Sequence, residues 1–298
     1  MTLSTPLVKS LAAKCGFHAC GMAPAEDVPL FDAHLEEWLS QGYHGDMRYM
    51  EAFKEMRADV TKLLPGARSV ISLLVGYKPS LCVPNIAMYA YGEDYHERIK
   101  RMLYQLIAAI KEIDPSFEAK PCVDTAPIAE KLWAWRAGLG WIGRNTLFYH
   151  PTMGSFCLIG ELVTTAEFDY YGYPRKNNNC GNCYDCIEAC PNHAITPQGI
   201  NAPCCTSYNT IENRADTLPS TLRTEGYCFG CDICQIVCPY NQFAEIKENI
   251  PQERIQELSD LSSADAPTFR RLTKHSALNR INYAQWQRNI QHNSEGKE

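Results

Sequence analysis

The sequence lacks several features that would place it in a common class. It contains no apolar run close to the roughly 20 residues that cross a bilayer, no N-terminal apolar segment typical of a secretory signal, and no low-complexity tract. An excess of positive charge is also missing, because the 298 residues carry a formal net charge of −6 at pH 7. That charge argues against coating of nucleic acid but allows a local basic patch. These absences predict a globular cytoplasmic protein without a membrane partner.

Cysteine, in contrast, is abundant. The chain has 15 cysteines, an odd number, and no visible export signal. A disulfide framework therefore explains them poorly, and metal ligation in a reducing compartment explains them better. Ten of the cysteines lie between Cys180 and Cys238.

Eight of these ten form two similar runs. Each run has the spacing C-x2-C-x2-C-x3-C-P, ending at Cys190-Pro191 and at Cys238-Pro239. This is the spacing of bacterial two-cluster ferredoxins, in which the fourth cysteine of each run ligates the other cluster. Structural zinc is the alternative. It does not explain why both runs continue to a fourth cysteine followed by proline, which a closed four-thiolate zinc site does not need.

The crossed pattern assigns one cluster to Cys180, Cys183, Cys186 and Cys238. The second cluster takes Cys190, Cys231 and Cys234 with one further thiolate, either Cys228 or Cys205. Spacing alone favours Cys228.

Periodicity predicts an α+β protein in which a mixed α/β domain precedes the cysteine-rich module. Helices are expected at 30–41, 93–113 and from Pro127, and strands at 69–75, 117–123 and 155–165. The sequence YYGYPRKNNN at 170–179 is typical of a linker. We predict a catalytic domain at 1–169, a double-cluster ferredoxin-like domain at 170–250 and a helical C-terminal segment at 251–298.

The segment from Gly138 to Gly143 fits the dinucleotide fingerprint G-x-G-x-x-G. That fingerprint must follow a strand and begin a helix. Here it follows a predicted helix, so Gly138 is interpreted as a helix C-terminal cap.

Motifs along nearly the whole chain resemble the epoxyqueuosine reductase family. In order they are WLSQGYHGDMRYM, RADVTKLLPGARSVI, YAYGEDYH, VDTAPIAEK, RAGLGWIGRNT, GELVT, CGNCYDCIEACPNHAI, CTSYNTIE and FGCDICQIVCPYN. The resemblance implies a cobalamin-binding catalytic domain followed by two [4Fe-4S] clusters. It also implies that Cys205, in CTSYNTIE, ligates the second cluster, which leaves Cys204 and Cys228 without an iron.

By the same resemblance, Asp124 in VDTAP is the general acid that protonates the epoxide oxygen. Its place after a buried strand suits a carboxylic acid whose pKa is raised by desolvation. The alternative from local sequence is that Asp124 is the N-cap of the helix that follows.

The resemblance implies a base-off corrin with no strong protein axial ligand. The axial motif Asp-x-His-x-x-Gly is approached only by Asp94-Tyr95-His96, and its glycine is missing. Candidate corrin contacts implied by the family are Arg57, Asp124, Asn145, Thr146, Ser155 and Ser207. At 144–146 the common Lys-His-Thr of the family is replaced by Arg-Asn-Thr.

The implied substrate is tRNA bearing epoxyqueuosine, with electrons from a low-potential ferredoxin, flavodoxin or equivalent. Residues 268–293 carry five basic residues (Arg270, Arg271, Lys274, Arg280 and Arg288), two interleaved aromatics (Tyr283 and Trp286) and no acidic residue. This pattern predicts either an RNA-binding patch or a solvated helix face. Two other functions remain open, namely a dehalogenase-like corrinoid reductase of a small molecule and an electron-transfer protein without corrin.

Overall fold

A computed structural model of the chain describes residues 2–26, 29–174 and 179–295. The strands are β1 (Thr2–Leu3), β2 (Ala19–Pro24), β3 (Ser69–Gly76), β4 (Ala119–Cys122), β5 (Trp141–Ile142), β6 (Phe148–Tyr149), β7 (Cys157–Thr164), β8 (Glu167–Phe168), β9 (Ile195–Thr196) and β10 (Gly199–Ile200). The helices of the first half are α1 (Thr5–Lys14), α2 (Pro29–Ser40), α3 (Tyr49–Ala52), α4 (Lys54–Ala58), α5 (Tyr95–Lys111) and α6 (Glu130–Arg136). Those of the second half are α7 (Asp185–Glu188), α8 (Thr206–Ile211), α9 (Ile233–Ile236), α10 (Pro239–Gln242), α11 (Gln252–Asp260), α12 (Ala266–Thr273) and α13 (Tyr283–Glu295).

The first half is organised around a four-stranded antiparallel sheet in the order β2-β3-β7-β4. Its two long strands pair from Ser69 opposite Thr164 to Gly76 opposite Cys157. The three predicted strands and the α+β class are confirmed, with bounds that differ by one or two residues. Strand β2 is not evident from the sequence because ACGMAP contains no β-branched residue.

Strand β3 is buried along its whole length because helices cover both faces of the sheet. Ile71, Leu73 and Val75 belong to the apolar cluster formed with α1 and α5. Val70 points the other way and packs with Trp133 of α6. The alternation of side chains along a strand thus separates two cores, one on each face.

Helix α5 begins where the side chain of Asp94 accepts a hydrogen bond from the backbone N–H of His96 at 2.9 Å. Its buried face carries Ile99, Met102, Leu103, Leu106 and Ile110, at the spacing expected of an amphipathic helix. The predicted span of 93–113 shortens by two residues at each end. The cap fixes the position of His96 in the first turn, and this position matters for the site described below.

The largest apolar cluster joins all three predicted segments of the chain. It includes Tyr77 and Tyr91 from the first segment, Phe229 from the second, and Phe269 and Trp286 from the third. The division at 169 and 250 stays a prediction, and residues 175–178 of the predicted linker lie outside the described residues. None of the described helices has the length and apolar character that a membrane crossing requires.

The glycines of the G-x-G-x-x-G segment have structural roles. Gly138 follows α6 with a φ of +75° and caps its C-terminus, as predicted. A Cβ on Gly140 would lie 1.8 Å from the carbonyl oxygen of Tyr149, and a Cβ on Gly143 would lie 2.7 Å from the ring of the same tyrosine. The segment therefore leads from a helix into β5 and permits close packing against β6.

We predict that Gly140→Ala destabilises the protein by about 3 kcal/mol, since a backbone oxygen cannot move aside as a side chain can. Anaerobic thermal unfolding of the cluster-loaded chain measures the change. Gly42→Asn is the control, because no atom lies within 4 Å of its Cβ position and asparagine tolerates the left-handed φ. An equal loss of stability in both variants would contradict this role for Gly140.

Glu161 is fully buried in the middle of β7, opposite Ser72 and Cys122 in the flanking strands. Ser72 Oγ donates to its Oε1 at 3.0 Å, while its Oε2 has no hydrogen-bond partner among the described residues. Burial raises the pKa of Glu161 well above its ordinary value. We therefore expect Glu161 to keep its proton to a higher pH than an exposed glutamate does.

Glu161→Gln tests this protonation state. The folded wild type keeps a proton that the unfolded chain loses above about pH 4.3, so its stability falls by about 1.4 kcal/mol per pH unit up to the folded pKa. The Gln variant has no such loss. Its melting temperature relative to wild type should rise by several degrees between pH 6 and pH 8, and a pH-independent difference would show that Glu161 is ionised.

Candidate functional site

The eight predicted ligand thiols interact electrostatically with one another, although no three His, Cys, Asp or Glu side chains among the described residues converge as a metal site. Burial followed by the charges of Cys180, Cys238 and Cys183 raises the pKa of Cys186. Burial followed by the charges of Cys231, Cys205, Cys190 and Cys186 raises the pKa of Cys234. The assignment of these thiols to two cubane clusters, each with four thiolates, stays a prediction.

Cys205, the ligand that the family resemblance implies, directly precedes α8. It is the N-cap residue of this helix, so its thiol lies beside the first backbone N–H groups. Burial raises the pKa of Cys205, and the N–H groups of Tyr208 and Ser207 offset part of the rise. Such N–H groups favour the thiolate, which is the form that binds iron.

Cys228, the alternative ligand, is in a different environment. It is 4% exposed and belongs to the large apolar cluster. Its thiol donates to the carbonyl oxygen of Gly226 at 3.8 Å and accepts from Asn293 Nδ2 at 3.4 Å. Cys204 lies in the short 3-10 turn beside Cys205.

The second cluster loop, which is the second cysteine run at 228–238, is joined to the segment between β3 and α5 by direct hydrogen bonds. These bonds run from Cys228 N to Asn85 O (2.7 Å), from Ala87 N to Phe229 O (2.8 Å) and from Met88 N to Asp232 Oδ2 (2.8 Å). The ring of Tyr89 lies 6.0 Å from that of Phe229 and 6.0 Å from that of Tyr95 at the start of α5. These contacts place the N-terminus of α5 next to the second cluster loop.

Two of the predicted corrin contacts, Asn145 and Ser155, lie in a buried network next to the cysteines. Asn145 Nδ2 donates to Tyr149 Oη at 2.9 Å and to the carbonyl oxygen of Cys234 at 3.0 Å. Ser155 Oγ accepts from Asn241 Nδ2 at 2.8 Å. This network connects the sheet domain to the cluster loops, so both side chains already have protein partners.

Asp124 lies in the loop between β4 and α6, in the left-handed region with a φ of +43°. Its Oδ2 lies 2.8 Å from His96 Nε2, and its backbone N–H donates to Glu130 Oε1. The helix after it begins at Glu130 with Ala129 as N-cap. The N-cap interpretation of Asp124 is therefore wrong, and its half-exposed carboxylate (52%) is free to face a ligand.

The pKa of Asp124 departs from the prediction. Burial raises it, but the hydrogen bond and charge of His96, with the Tyr95 hydroxyl and Arg280, outweigh burial and lower it. The expectation of a pKa raised by desolvation is thus wrong for Asp124. Desolvation prevails at its neighbour Glu130, whose pKa burial raises to about 8.

His96 is held by carboxylates on both sides. Its Nδ1 lies 2.7 Å from Asp94 Oδ1, and its Nε2 faces Asp124. In the sequence His96 stands out only as part of an incomplete axial motif, and both ring nitrogens are engaged here. The N-cap pattern Asp94-x-His96 is the local signal that could have indicated its orientation.

Arg57 of α4 lies on the same side of the site. It is 8% exposed, and its Nε has no hydrogen-bond partner among the described residues. Burial lowers its pKa, while the charges of Tyr49, Glu130 and Asp124 raise it. A buried cation with an unused donor is suited to a ligand that carries acceptor oxygens. Thr146 and Ser207, also predicted contacts, are half-buried.

The basic segment at 268–293 is mainly structural. Trp286 is 1% exposed in the apolar cluster, and Arg288 donates to the carbonyl oxygens of Asn209, Asn213 and Ala215. Arg280 forms a bidentate ion pair with Glu212 at 2.9 Å. The prediction of an RNA-binding patch is therefore wrong for Trp286 and Arg288, whereas Arg270, Arg271 and Lys274 are exposed.

Two cysteine runs at ferredoxin spacing, in a chain with a carboxylate site, are typical of an iron-sulfur oxidoreductase, and family models agree. Residues 179–241 match the "4Fe-4S double cluster binding domain" and residues 57–125 match "Epoxyqueuosine reductase QueG, DUF1730". The chain carries a double [4Fe-4S] domain. It is 39% identical over 292 residues to the epoxyqueuosine reductase of Leadbetterella byssophila, covering 95% of this chain and 96% of that protein. The chain belongs to the epoxyqueuosine reductase family and is an oxidoreductase.

Other epoxyqueuosine reductases are also similar to this chain in sequence and in structure. The epoxyqueuosine reductase of Aliivibrio fischeri is 38% identical over 301 residues, covering 95% of this chain and 80% of that protein. The crystal structure of a selenomethionine-labelled epoxyqueuosine reductase superimposes with a TM-score of 0.85 at 25% identity, covering 96% of this chain and 80% of that one. A structure with an epoxyqueuosine-modified tRNA stem loop has the same fold (TM-score 0.84, 24% identity, 96% of this chain and 80% of that one).

Cys205→Ala and Cys228→Ala distinguish the two candidate ligands. We expect Cys205→Ala to lower the iron content from about eight to about four per chain after anaerobic reconstitution, because the second cubane loses one of four thiolates. Cys228→Ala should keep both clusters. Iron and sulfide analysis with electron paramagnetic resonance of the reduced chain measures this, and the reverse result would assign the second cluster to Cys228.

Proposed function

We propose that this protein reduces epoxyqueuosine to queuosine at the wobble position of tRNA. The observation that carries the proposal is 39% identity to an epoxyqueuosine reductase across almost all of both chains. The acid site around Asp124, next to the second cluster loop, supports it. Removal of the epoxide oxygen takes two electrons and two protons and releases water, so the enzyme needs an electron source and a proton donor.

We propose that the electron source is the pair of [4Fe-4S] clusters. Cys180, Cys183, Cys186 and Cys238 would hold one cluster, and Cys190, Cys205, Cys231 and Cys234 would hold the other. An external low-potential donor such as a ferredoxin or flavodoxin would reduce them one electron at a time. Because the substrate is tRNA, the cytoplasm is the expected location.

We further propose that the protein binds cobalamin in front of Asp124. A cobalt corrin, when bound, supplies the low-potential chemistry that reduces an epoxide, whereas iron-sulfur clusters transfer single electrons. Arg57 fits a contact to the corrin periphery, because its buried Nε still lacks a partner among the described residues. Thr146 and Ser207 are further proposed contacts, while Asn145 and Ser155 stay predictions because their side chains are already bonded.

Asp124 would deliver the proton to the departing oxygen. It is half exposed, on a loop that the backbone bond to Glu130 holds in place. Arg280 interacts with Asp124 from the C-terminal segment and also forms an ion pair with Glu212.

The decisive experiment uses the full chain purified without oxygen and reconstituted with iron, sulfide and cobalamin. We expect about eight irons and one cobalt per chain, and conversion of epoxyqueuosine to queuosine in purified tRNA, measured by mass spectrometry of the nucleosides. Both cofactors without tRNA turnover would favour a small-molecule reductase. Clusters without corrin would favour an electron-transfer protein.

Asp124→Asn should reduce turnover by at least 100-fold, since the amide cannot protonate the leaving oxygen. Iron and cobalt contents should remain those of wild type, because Asp124 holds neither metal in this proposal. Asp216→Asn, on an exposed loop, is the matched control and should leave the rate unchanged. Loss of corrin in Asp124→Asn would give Asp124 a binding role instead.

A further inference from the structure

Three side chains form a line that ends at the proposed acid. Asp94 Oδ1 accepts from the backbone N–H of His96 at 2.9 Å and lies 2.7 Å from its Nδ1. His96 Nε2 lies 2.8 Å from Asp124 Oδ2. Because one carboxylate oxygen binds both the backbone and the ring of His96, the imidazole has a single orientation.

This geometry fixes where a proton resides. The Asp94 carboxylate can only accept a hydrogen bond, so Nδ1 of His96 carries a proton. Nε2 of His96 then faces the carboxylate oxygen of Asp124 at hydrogen-bond distance. Two lone pairs would repel each other at 2.8 Å, so one proton must lie between Nε2 and Oδ2. The contact therefore implies either an imidazolium beside an ionised Asp124 or a neutral imidazole beside a protonated Asp124.

We propose that His96 holds the proton that Asp124 delivers, and that Asp94 is the positioning residue that orients His96. This inference rests on the proposed function, in which Asp124 touches the substrate, and adds the source of its proton. His96 acts through Asp124 and is therefore a positioning residue, not a catalytic one.

The proton transfers need no oxidant or reductant. The N–H bond at His96 Nε2 breaks as an O–H bond forms at Asp124 Oδ2, and the Asp124 O–H bond then breaks as the leaving oxygen takes the proton. His96, about one-third exposed, regains a proton from solvent. Two such passes supply the two protons that the reduction consumes, and each pass returns His96 and Asp124 to the form that shares one proton.

The neighbouring groups support this distribution. Burial lowers the pKa of His96, but its bonds to Asp124 and Asp94 outweigh burial and raise it. The ring of Tyr95 stacks on His96 with centroids 4.0 Å apart. The other titratable or charged groups that interact with Asp124 are Tyr49, Arg57, Tyr89, Tyr95, Glu130 and Arg280.

The pH dependence follows from these directions. Asp124 with a lowered pKa and His96 with a raised pKa share one proton at every pH between the two values. As pH rises through the pKa of His96, the shared proton is lost and Asp124 has no proton to deliver. The rate should therefore fall on the alkaline side, at a pH above the ordinary histidine value of about 6.5.

Asp94→Asn is the sharpest test, because asparagine is as good an N-cap as aspartate and preserves the start of α5. It removes only the charge beside Nδ1. We expect the alkaline limb of kcat for tRNA reduction to move down by about one pH unit, with iron and cobalt contents unchanged. Asp265→Asn, the same change at the N-cap of α12, is the control and should not move the limb.

A second readout does not depend on turnover. In the cluster-loaded chain labelled with 15N-histidine, the His96 signals, assigned by their loss in His96→Gln, should titrate above pH 6.5. They should titrate at lower pH in both Asp94→Asn and Asp124→Asn. Unchanged titration or an unmoved alkaline limb in Asp94→Asn would overturn the inference. A wild type that shows this titration but does not reduce tRNA would instead overturn only the proposed function.

Discussion

The arrangement of this protein depends on the backbone pairing between the segment that precedes α5 and the second cluster loop. Asn85, Ala87 and Met88 bond directly to residues 228–232, and a shared apolar cluster buries the contact. Buried backbone N–H and C=O groups need hydrogen-bond partners. These bonds supply such partners and hold the two segments together. The N-terminus of α5, with His96, is therefore held at a set position relative to the cysteines that we propose as iron ligands. In the proposed function, electron delivery and proton delivery meet in one place for this reason.

The carboxyl groups in this part of the protein differ in the direction of their pKa shifts. Glu161 and Glu130 lie where burial dominates, and their pKa values rise. Asp124 lies where hydrogen bonds and positive charge dominate, and its pKa falls. A carboxyl group thus has a raised pKa within the sheet and a lowered pKa beside His96 in the loop. Such a separation of pKa values within a few residues is typical of sites that move protons.

Much of the fold could be predicted from periodicity. The strands around Ser69 and Cys157 and the amphipathic helix after Asp94 lie within two residues of the predicted bounds, since long apolar patterns report burial directly. Strand β2 could not be predicted because its six residues are small and lack β-branching. The aromatic and basic pattern after Thr268 was misleading, because Trp286 and Arg288 satisfy core packing and buried carbonyls. Composition cannot distinguish an arginine that binds phosphate from one that binds carbonyl oxygens.

The sequence by itself determined the chemistry of the metal centres, because eight cysteines at ferredoxin spacing can converge on two cubanes and on little else. It left open the choice between Cys205 and Cys228, which spacing assigns to Cys228 and family resemblance to Cys205. Only the tertiary structure brings the Cys205 thiol near Cys190 and Cys231 and places Cys228 among apolar side chains, which favours Cys205 as the proposed ligand. The lowered pKa of Asp124 likewise depends on the tertiary structure. A pKa depends on which groups lie within a few ångströms, and His96, 28 residues away in the chain, is brought there only by the fold.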